Sequence, residues 1–362
     1  MKILEITYNL RPGGAERFIV DLCNNYSLDE NNEVYLLAVN NDSGPKDKHY
    51  LSSLSKKVHY ICANAPKGLS IKALLNVYKI INKLKPDVVH AHSSLLHLLL
   101  PSLLKKKIKY IHTLHTLAEK NTSHRKLKSL EKILYSKYVQ AVTISNICNK
   151  SFVEYYNSDK SICIPNGREA LKTTELHPAV AEEINKLKKN SNTPVFIHVA
   201  TFLKPKNQQL LFDTFKKLED EGKDFLLVVL GACYENCTHP YKENGKQIVI
   251  MGRKENVGDY MACADFFVMS SIWEGLPLSL LEAMSMGVVP ICTPAGGIVD
   301  VIENGKNGYL SPSFEHSDFY ALIKGVLDNP DKISKTDVTD CYKQNYTMAI
   351  CAEKYLELYK KL

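Results

Sequence analysis

The segment Glu274-Gly-Leu-Pro-Leu-Ser-Leu-Leu-Glu282 sets two carboxylates around a glycine and a proline, directly after the apolar run Asp265–Met269. Pro277 suits the first turn of a helix, where a missing N–H costs nothing. Gly275 lets a ligand approach the backbone closely. The N–H groups near Leu278 and Ser279 would then lie at a helix N-terminus, a natural anion site. Glu274 precedes this helix and Glu282 lies about one and a half turns into it. The two can accept hydrogen bonds at opposite ends of one elongated ligand; from sugar hydroxyls each is worth about 1.5–3 kcal/mol when the acceptor is charged. The plainer reading is an acidic helix start that complements the dipole, followed by a solvated face. A second grouping, Cys233, Cys237 and His239, offers three soft ligands with no matching second knuckle, and reads as a surface loop rather than a zinc site.

The elements that must position these residues alternate along the chain. Val/Ile-rich runs fall at Lys2–Asn9, Val34–Val39, Val58–Ile61, Asp87–Ala91, Ile108–Leu114, Ala141–Ile144 and Ser161–Ile164. Helical-period segments such as Ala15–Asn25 and Ile71–Leu84 separate them. Apolar strands alternating with helices imply parallel sheets covered on both faces. Residues 169–193 are polar and rich in Lys and Glu. The alternation then restarts at Val195–Ala200, Phe225–Leu230, Ile248–Met251, Asp265–Met269 and Val288–Cys292, with helices at Gln208–Glu219, Asn256–Cys263 and Leu278–Met286. The expectation is an α/β chain of two doubly wound Rossmann-like domains, 1–168 and 169–340, followed by one amphipathic helix within 341–362 that starts near Asp340. Ligands of such sheets bind at the carboxyl ends of the strands.

Composition narrows the classes. The chain has 362 residues and is 45% hydrophobic, too apolar for disorder and too long for one ordinary core. The longest near-apolar run, Leu95–Leu104, contains His97, Pro101 and Ser102 and is too short to span a bilayer. No leader pattern precedes the first strand, and most of the ten cysteines sit in apolar segments as reduced thiols would, so a cytoplasmic protein is expected. The net charge of +7 is uneven. Residues 1–166 hold 24 Lys+Arg against 13 Asp+Glu, and the remainder holds 22 against 26. A basic first half suggests an anionic surface as partner.

Several segments together resemble the retaining glycosyltransferases of family 4, which have the two-domain GT-B fold. Glu274 and Glu282 match the Glu-x7-Glu signature. Arg11-Pro-Gly-Gly-Ala-Glu-Arg17 is similar to the N-terminal glycine loop, Pro86-Asp-Val-Val-His-Ala-His92 to a later strand of the first domain, and Thr113-Leu-His115 to its Thr-x-His segment. Ile164-Pro-Asn-Gly167 resembles the end of the first domain and Lys206-Asn207 the phosphate loop. Thr293-Pro-Ala-Gly-Gly297 and Asn304-Gly-Lys-Asn-Gly308 resemble the C-terminal glycine turns. The resemblance implies two domains facing a cleft, with the last helix crossing back to the first.

It also implies roles. Glu282 holds the ribose, Glu274 the donor-sugar hydroxyls, and Lys206 the diphosphate, together with the N–H groups of Gly14, Leu278 and Ser279. His115 lies over the donor sugar, and the base lies near Gly252-Arg253-Lys-Glu-Asn256. The reaction is departure of a nucleoside diphosphate as an acceptor hydroxyl attacks the anomeric carbon, with retention. Preorganised dipoles and Lys206 meet the growing negative charge. No Asp-x-Asp motif stands where a metal-dependent enzyme would need one, so no metal and no cofactor are expected. A UDP-sugar is favoured over a GDP-sugar as donor. A lipid-linked glycan of capsule, O-antigen or exopolysaccharide synthesis is favoured as acceptor. The family usually places Gly-Arg-Leu before the phosphate loop; here Ala200-Thr201-Phe202 stands there, and Lys204, a point charge rather than a fork, is the nearest substitute. A nucleotide-sugar 2-epimerase and a non-catalytic nucleotide-sugar-binding protein are the alternatives.

The remaining signals are weighed the same way. Gly13-Gly14 also fits a simple strand-to-helix turn. His90 and His92 are read as facing opposite sides of a strand, structural and without a second ligand. His115 ends a strand and is the stronger candidate, with His112 its register neighbour. Residues 94–107 read as a core helix with a solvated Lys face. Residues 120–137, with Lys120, Arg125, Lys126, Lys128, Lys132 and Lys137 against Glu131, read as a basic amphipathic helix for peripheral contact with an anionic membrane at the inner face of the cell membrane. No aromatic residues interleave with these charges, which disfavours nucleic acid.

Overall fold

The computed structural model describes residues 1–40, 45–66, 70–105, 107–121, 127–234 and 247–362. The chain forms two compact units, Met1–Glu169 with Thr347–Leu362, and Ala170–Tyr346. Among the described residues no helix is long and apolar enough to cross a membrane.

The first unit is a seven-stranded sheet in the order β3-β2-β1-β4-β5-β6-β7. Its strands are β1 (Lys2–Thr7), β2 (Glu33–Ala38), β3 (His59–Cys62), β4 (Val88–His92), β5 (Lys109–Leu114), β6 (Val139–Thr143) and β7 (Ser161–Cys163). The second unit has the order β10-β9-β8-β11-β12-β13. It is built from β8 (Val195–Val199), β9 (Leu226–Leu230), β10 (Ile248–Gly252), β11 (Phe266–Met269), β12 (Val289–Cys292) and β13 (Tyr309–Leu310). All of these pairings are parallel. Buried runs such as Leu226–Leu230 follow from helices covering both faces. The strand order reverses between β1 and β4 in one unit and between β8 and β11 in the other, the crevices where such sheets bind ligands.

The twelve strands expected from the sequence all form. The two-residue β13 was not expected; it is too short to carry a pattern. Two helical expectations are corrected. The stretch from Asp340 is not one helix. α12 (Lys335–Asn345) ends in the second unit, and α13 (Met348–Lys361) returns to the first. Tyr346 leaves helical geometry at φ −126° and ψ 12°, and Thr347 caps α13 by accepting from Ile350 N–H at 3.3 Å. The joint therefore lies at residues 346–347 and not at 340–341. Residues Ser93–Ser102 form 3-10 turns rather than a core α-helix, although Leu95, Leu96, Leu98 and Leu99 are buried.

α13 is anchored where the chain leaves the first unit. Met348 N–H donates to the Arg168 carbonyl at 3.2 Å. A Cβ on Gly167 would lie 2.5 Å from the Thr347 carbonyl oxygen, so only glycine permits this approach. Buried Asp21 pairs with Arg168 and, at 2.7 Å, with Arg17 of α1 (Gly14–Tyr26).

Residues 120–137 do not form one continuous described helix. α3 (Ala118–Asn121) precedes α4 (Lys128–Lys137), while Arg125 and Lys126 lie outside the described residues, as do Cys237 and His239. α4 buries Leu134, Tyr135 and also Glu131, whose carboxylate accepts from Tyr156 O–H at 2.7 Å. Its outer face carries Lys128, Lys132 and Lys137, with Ile133 50% exposed.

Candidate active site

In the second unit the site is built where β8 and β11 diverge. After β8 the chain makes a 3-10 turn, Lys204–Lys206, and Asn207 takes a left-handed conformation at φ 49° before α7 (Gln208–Asp220). The loop after β11 holds this turn. Ser270 O–H lies 3.1 and 3.0 Å from the carbonyls of Lys206 and Asn207, and Ile272 N–H donates to the Pro205 carbonyl at 2.9 Å. The same loop carries buried Glu274. Its Oε1 accepts from Lys206 Nζ and from Ser271 O–H, both at 2.7 Å.

The glycine turn at 293–297 seats Glu274 from below. A Cβ on Gly296, which sits at φ +57°, would lie 1.7 Å from the Glu274 carbonyl oxygen. Gly297 N–H donates to the Gly275 carbonyl at 2.8 Å. Pro277 then leads into α9 (Leu278–Ser285) in an extended conformation with no side-chain cap. The first N–H groups of α9, on Leu278 and Ser279, thus have no intrahelical acceptor and face outward from the helix start. Glu282 is half-buried and stands only one turn into α9, closer to the helix start than the spacing suggested. A cation, a helix start and a carboxylate are gathered at one strand end, a combination suited to a ligand with a diphosphate beside a polyol.

Arg253 follows the edge strand β10 and pairs with Glu255 at 3.0 Å. Thr201 is exposed, and its carbonyl accepts from Gln208 Nε2 at 3.0 Å. Lys204, in the same turn as Lys206, is exposed.

In the first unit, Gly14 opens α1 and is exposed, with Gly13 extended before it at φ −172°. Glu16 folds back over the helix start, where a Cβ on Gly13 would meet its carboxylate at 2.2 Å. Burial raises the Glu16 carboxyl above its ordinary range.

His115 follows β5 and is half-buried. Its Nε2 lies 3.0 Å from His92 Nδ1, and its ring meets Phe18 edge-on at 5.4 Å. His90 and His92 do not face opposite sides. Side chains two apart on a strand share a face, and the two rings lie 4.1 Å apart. Both meet Glu5: His92 Nε2 at 2.6 Å and His90 Nδ1 at 3.2 Å. Tyr359 O–H reaches Glu5 at 3.1 Å, and His90 Nε2 meets Thr113 Oγ1 at 2.7 Å. His112 points away, to Tyr135 O–H at 2.8 Å and the Ser93 carbonyl. Glu5, His90 and His92 bring one oxygen and two nitrogens within 4.8 Å, close enough for a cation, but each atom is already spent on a hydrogen bond.

Sequence reasoning missed Glu5. Its signal was an acid in the middle of the apolar run Ile-Leu-Glu-Ile, a residue type that is almost never fully buried unless partnered. Here the parallel register sets Glu5 level with His90.

Two family models match the chain. Residues 12–170 match "Glycosyltransferase Family 4" and residues 180–340 match "Glycosyl transferases group 1". The UDP-Gal:alpha-D-GlcNAc-diphosphoundecaprenol alpha-1,3-galactosyltransferase of Escherichia coli is 26% identical over 78% of this chain and 76% of that protein. The capsular polysaccharide biosynthesis glycosyltransferase CapH of Staphylococcus aureus is 26% identical over 98% of this chain and 99% of its own length. Among solved structures, Anabaena HepE in complex with UDP and glucose superimposes with a TM-score of 0.78 at 19% identity, covering 100% of both chains.

Proposed function

The chain belongs to glycosyltransferase family 4 and is a hexosyltransferase-type enzyme, and on that premise we propose how it acts and on what. It transfers a sugar from a nucleotide donor, a UDP-sugar in preference to a GDP-sugar, to a hydroxyl of a lipid-linked glycan in cell-surface polysaccharide synthesis. Configuration is retained and no metal is required. One observation carries the reading: Lys206, Glu274 and the open start of α9 meet at the β8/β11 strand ends.

Each group has a task in this scheme. Lys206 and the N–H groups of Leu278 and Ser279 receive the charge that grows on the leaving diphosphate, and they need no reorganisation to do so. Glu274 accepts from donor-sugar hydroxyls and Glu282 from the ribose. Gly14 adds a backbone N–H, His115 lies over the sugar, and the segment around Arg253 borders the base through its backbone. Lys204 supplies part of the charge that an arginine at position 201 would provide. The names of the E. coli and S. aureus relatives support a lipid-linked or capsular acceptor, and the HepE complex supports UDP. The exposed lysines of α4 support peripheral contact with anionic lipid.

The test follows nucleoside diphosphate release from a panel of UDP-, GDP- and ADP-sugars, with and without membrane extract. Acceptor-dependent release with an α-linked product is expected, and it is lost in Lys206→Ala. Epimerised donor without acceptor, or binding without turnover, would replace this reading with one of the two alternatives. Charge reversal at Lys128, Lys132 and Lys137 should weaken binding to anionic vesicles while leaving hydrolysis of soluble donor intact.

A further inference from the structure

The hydrogen bonds around Glu5 have one consistent direction. Glu5 is fully buried, and an ionised carboxylate can only accept. His92 therefore carries its proton on Nε2, which meets Glu5 Oε2 at 2.6 Å. A neutral His92 then has a lone pair on Nδ1. The atom facing that lone pair at 3.0 Å, Nε2 of His115, must be the N–H. The other nitrogen of His115, Nδ1, is left as an acceptor, and no hydrogen bond engages it among the described residues. Phe18 and the stacked His92 ring, 5.4 and 5.2 Å away, hold the ring plane.

We propose that Glu5 and His92 are positioning residues that fix His115 as the neutral Nε2–H tautomer, so that it offers Nδ1 as an acceptor to a hydroxyl of the donor sugar. This deepens the reading of His115 given above and rests on it for the identity of the ligand.

The electrostatics agree with the geometry. Burial alone would raise the Glu5 carboxyl, but the pull of His90 and the hydrogen bonds from His90 and His92 outweigh it and lower it to about 2. Burial, reinforced by His90, brings His92 down to about 4 against the support of Glu5. Burial likewise holds His115 well below the imidazole range, with His92, His90 and His112 acting in the same sense and Glu5 opposing them. The pair is therefore neutral near pH 7, and its proton order does not change there. A neutral acceptor selects a hydroxyl and leaves the diphosphate to Lys206. Tyr359 O–H, reaching in from α13 to Glu5, makes the last helix part of this support.

The test is long-range proton–nitrogen NMR on the full chain with ¹⁵N-histidine, the His115 signals being assigned by their loss in His115→Asn. The wild type should show His115 as a single Nε2–H tautomer from about pH 6 to 8. His92→Phe and Glu5→Gln should mix the tautomers. In His92→Phe, kcat/KM should fall about tenfold, as expected for one hydrogen bond. In a set of monodeoxy donors, the one lacking the partner hydroxyl should penalise the wild type but not this variant. An Nδ1–H tautomer, an imidazolium at pH 7 or metal-shifted nitrogens in the wild type would overturn the proposal without any variant having to fold. If the tautomer is as stated but His115→Asn keeps full activity, the relay stands, and what falls is its address to the donor sugar.

Discussion

The two units share one strand order over six strands, to which the first adds β7, yet they carry opposite chemistry near its reversal. In the first unit the carboxylate, Glu5, lies inside the central strand at 0% exposure and is met by imidazoles and a phenol. In the second the carboxylate, Glu274, lies beyond the strand end and is met by a lysine whose side chain is 24% exposed. A buried charge ringed by hydrogen bonds is committed, because removing any partner leaves a desolvated group unsatisfied. The second pair is open on one side only: Glu274 is 8% exposed, and its lysine partner is the group that can turn to solvent or to a ligand. One topology thus yields a closed hydrogen-bonded support in the first unit and an ion pair with one partner open to solvent in the second.

The sharpest test is to remove each carboxylate. Glu5→Ala should cost about 3–5 kcal/mol of stability, read by urea unfolding, because it strands buried donors. Glu274→Ala should cost less, about 1–3 kcal/mol, because Lys206 can turn to solvent and only the Ser271 O–H loses its acceptor in a buried place, while kcat/KM falls about 10²-fold or more. Similar stability losses in both variants would erase the contrast. Gly296→Ala should do some of each. A Cβ 1.7 Å from the Glu274 carbonyl, on a residue at φ +57°, must displace the loop; about 1–3 kcal/mol of destabilisation should accompany a fall in kcat.

Acid should separate the units next. Burial lowers His92 to about 4 and His112 to about 3, so the native state holds both neutral. Their contribution is complete above the unfolded value of 6.5 and is lost as pH falls through 6.5 toward 4. Glu5, lowered to about 2, keeps its contribution above its unfolded value of 4.5 and loses it below that. The second unit has His198, lowered by burial to about 4. The single tryptophan, Trp273, lies in the second unit, so its fluorescence should persist below the pH at which circular dichroism starts to fall. The smallest effect is Tyr359→Phe. It keeps the ring and removes the hydroxyl that lies 3.1 Å from Glu5 and 2.6 Å from His90 Nδ1, for about 1–2 kcal/mol by thermal or urea unfolding.

Several candidate residues of the second unit are legible in the sequence. Glu274, Leu278 and Ser279 are announced by local chemistry, namely a proline before a helix and a glycine beside a carboxylate, and such signals live within a few residues; Lys206 came from the resemblance of Lys206-Asn207 to a phosphate loop. The first-unit network was not legible. His90 and His92 were visible as a pair, but their common face depends on strand periodicity and their meaning on Glu5, which is 85 residues from His90 in the chain. Tyr359 is 354 residues from Glu5. Arg253 was placed by resemblance, and the structure sets it at an edge strand with Glu255. The last helix was legible as amphipathic but not as broken, because the apolar stripe passes through Tyr346 while the break depends on where the two units part.

The alternation of apolar runs with helical periods sufficed to determine two parallel-sheet α/β units, since burial on both faces leaves few other ways to satisfy such strands. The family and the candidate site residues of the second unit were readable for the same reason: short motifs encode local backbone geometry. Only the tertiary structure decided which strands lie side by side, that Glu5 stands level with His90, and that α13 returns a tyrosine to it. Register and helix docking are settled by the packing of residues far apart in the chain, and no local pattern carries that information.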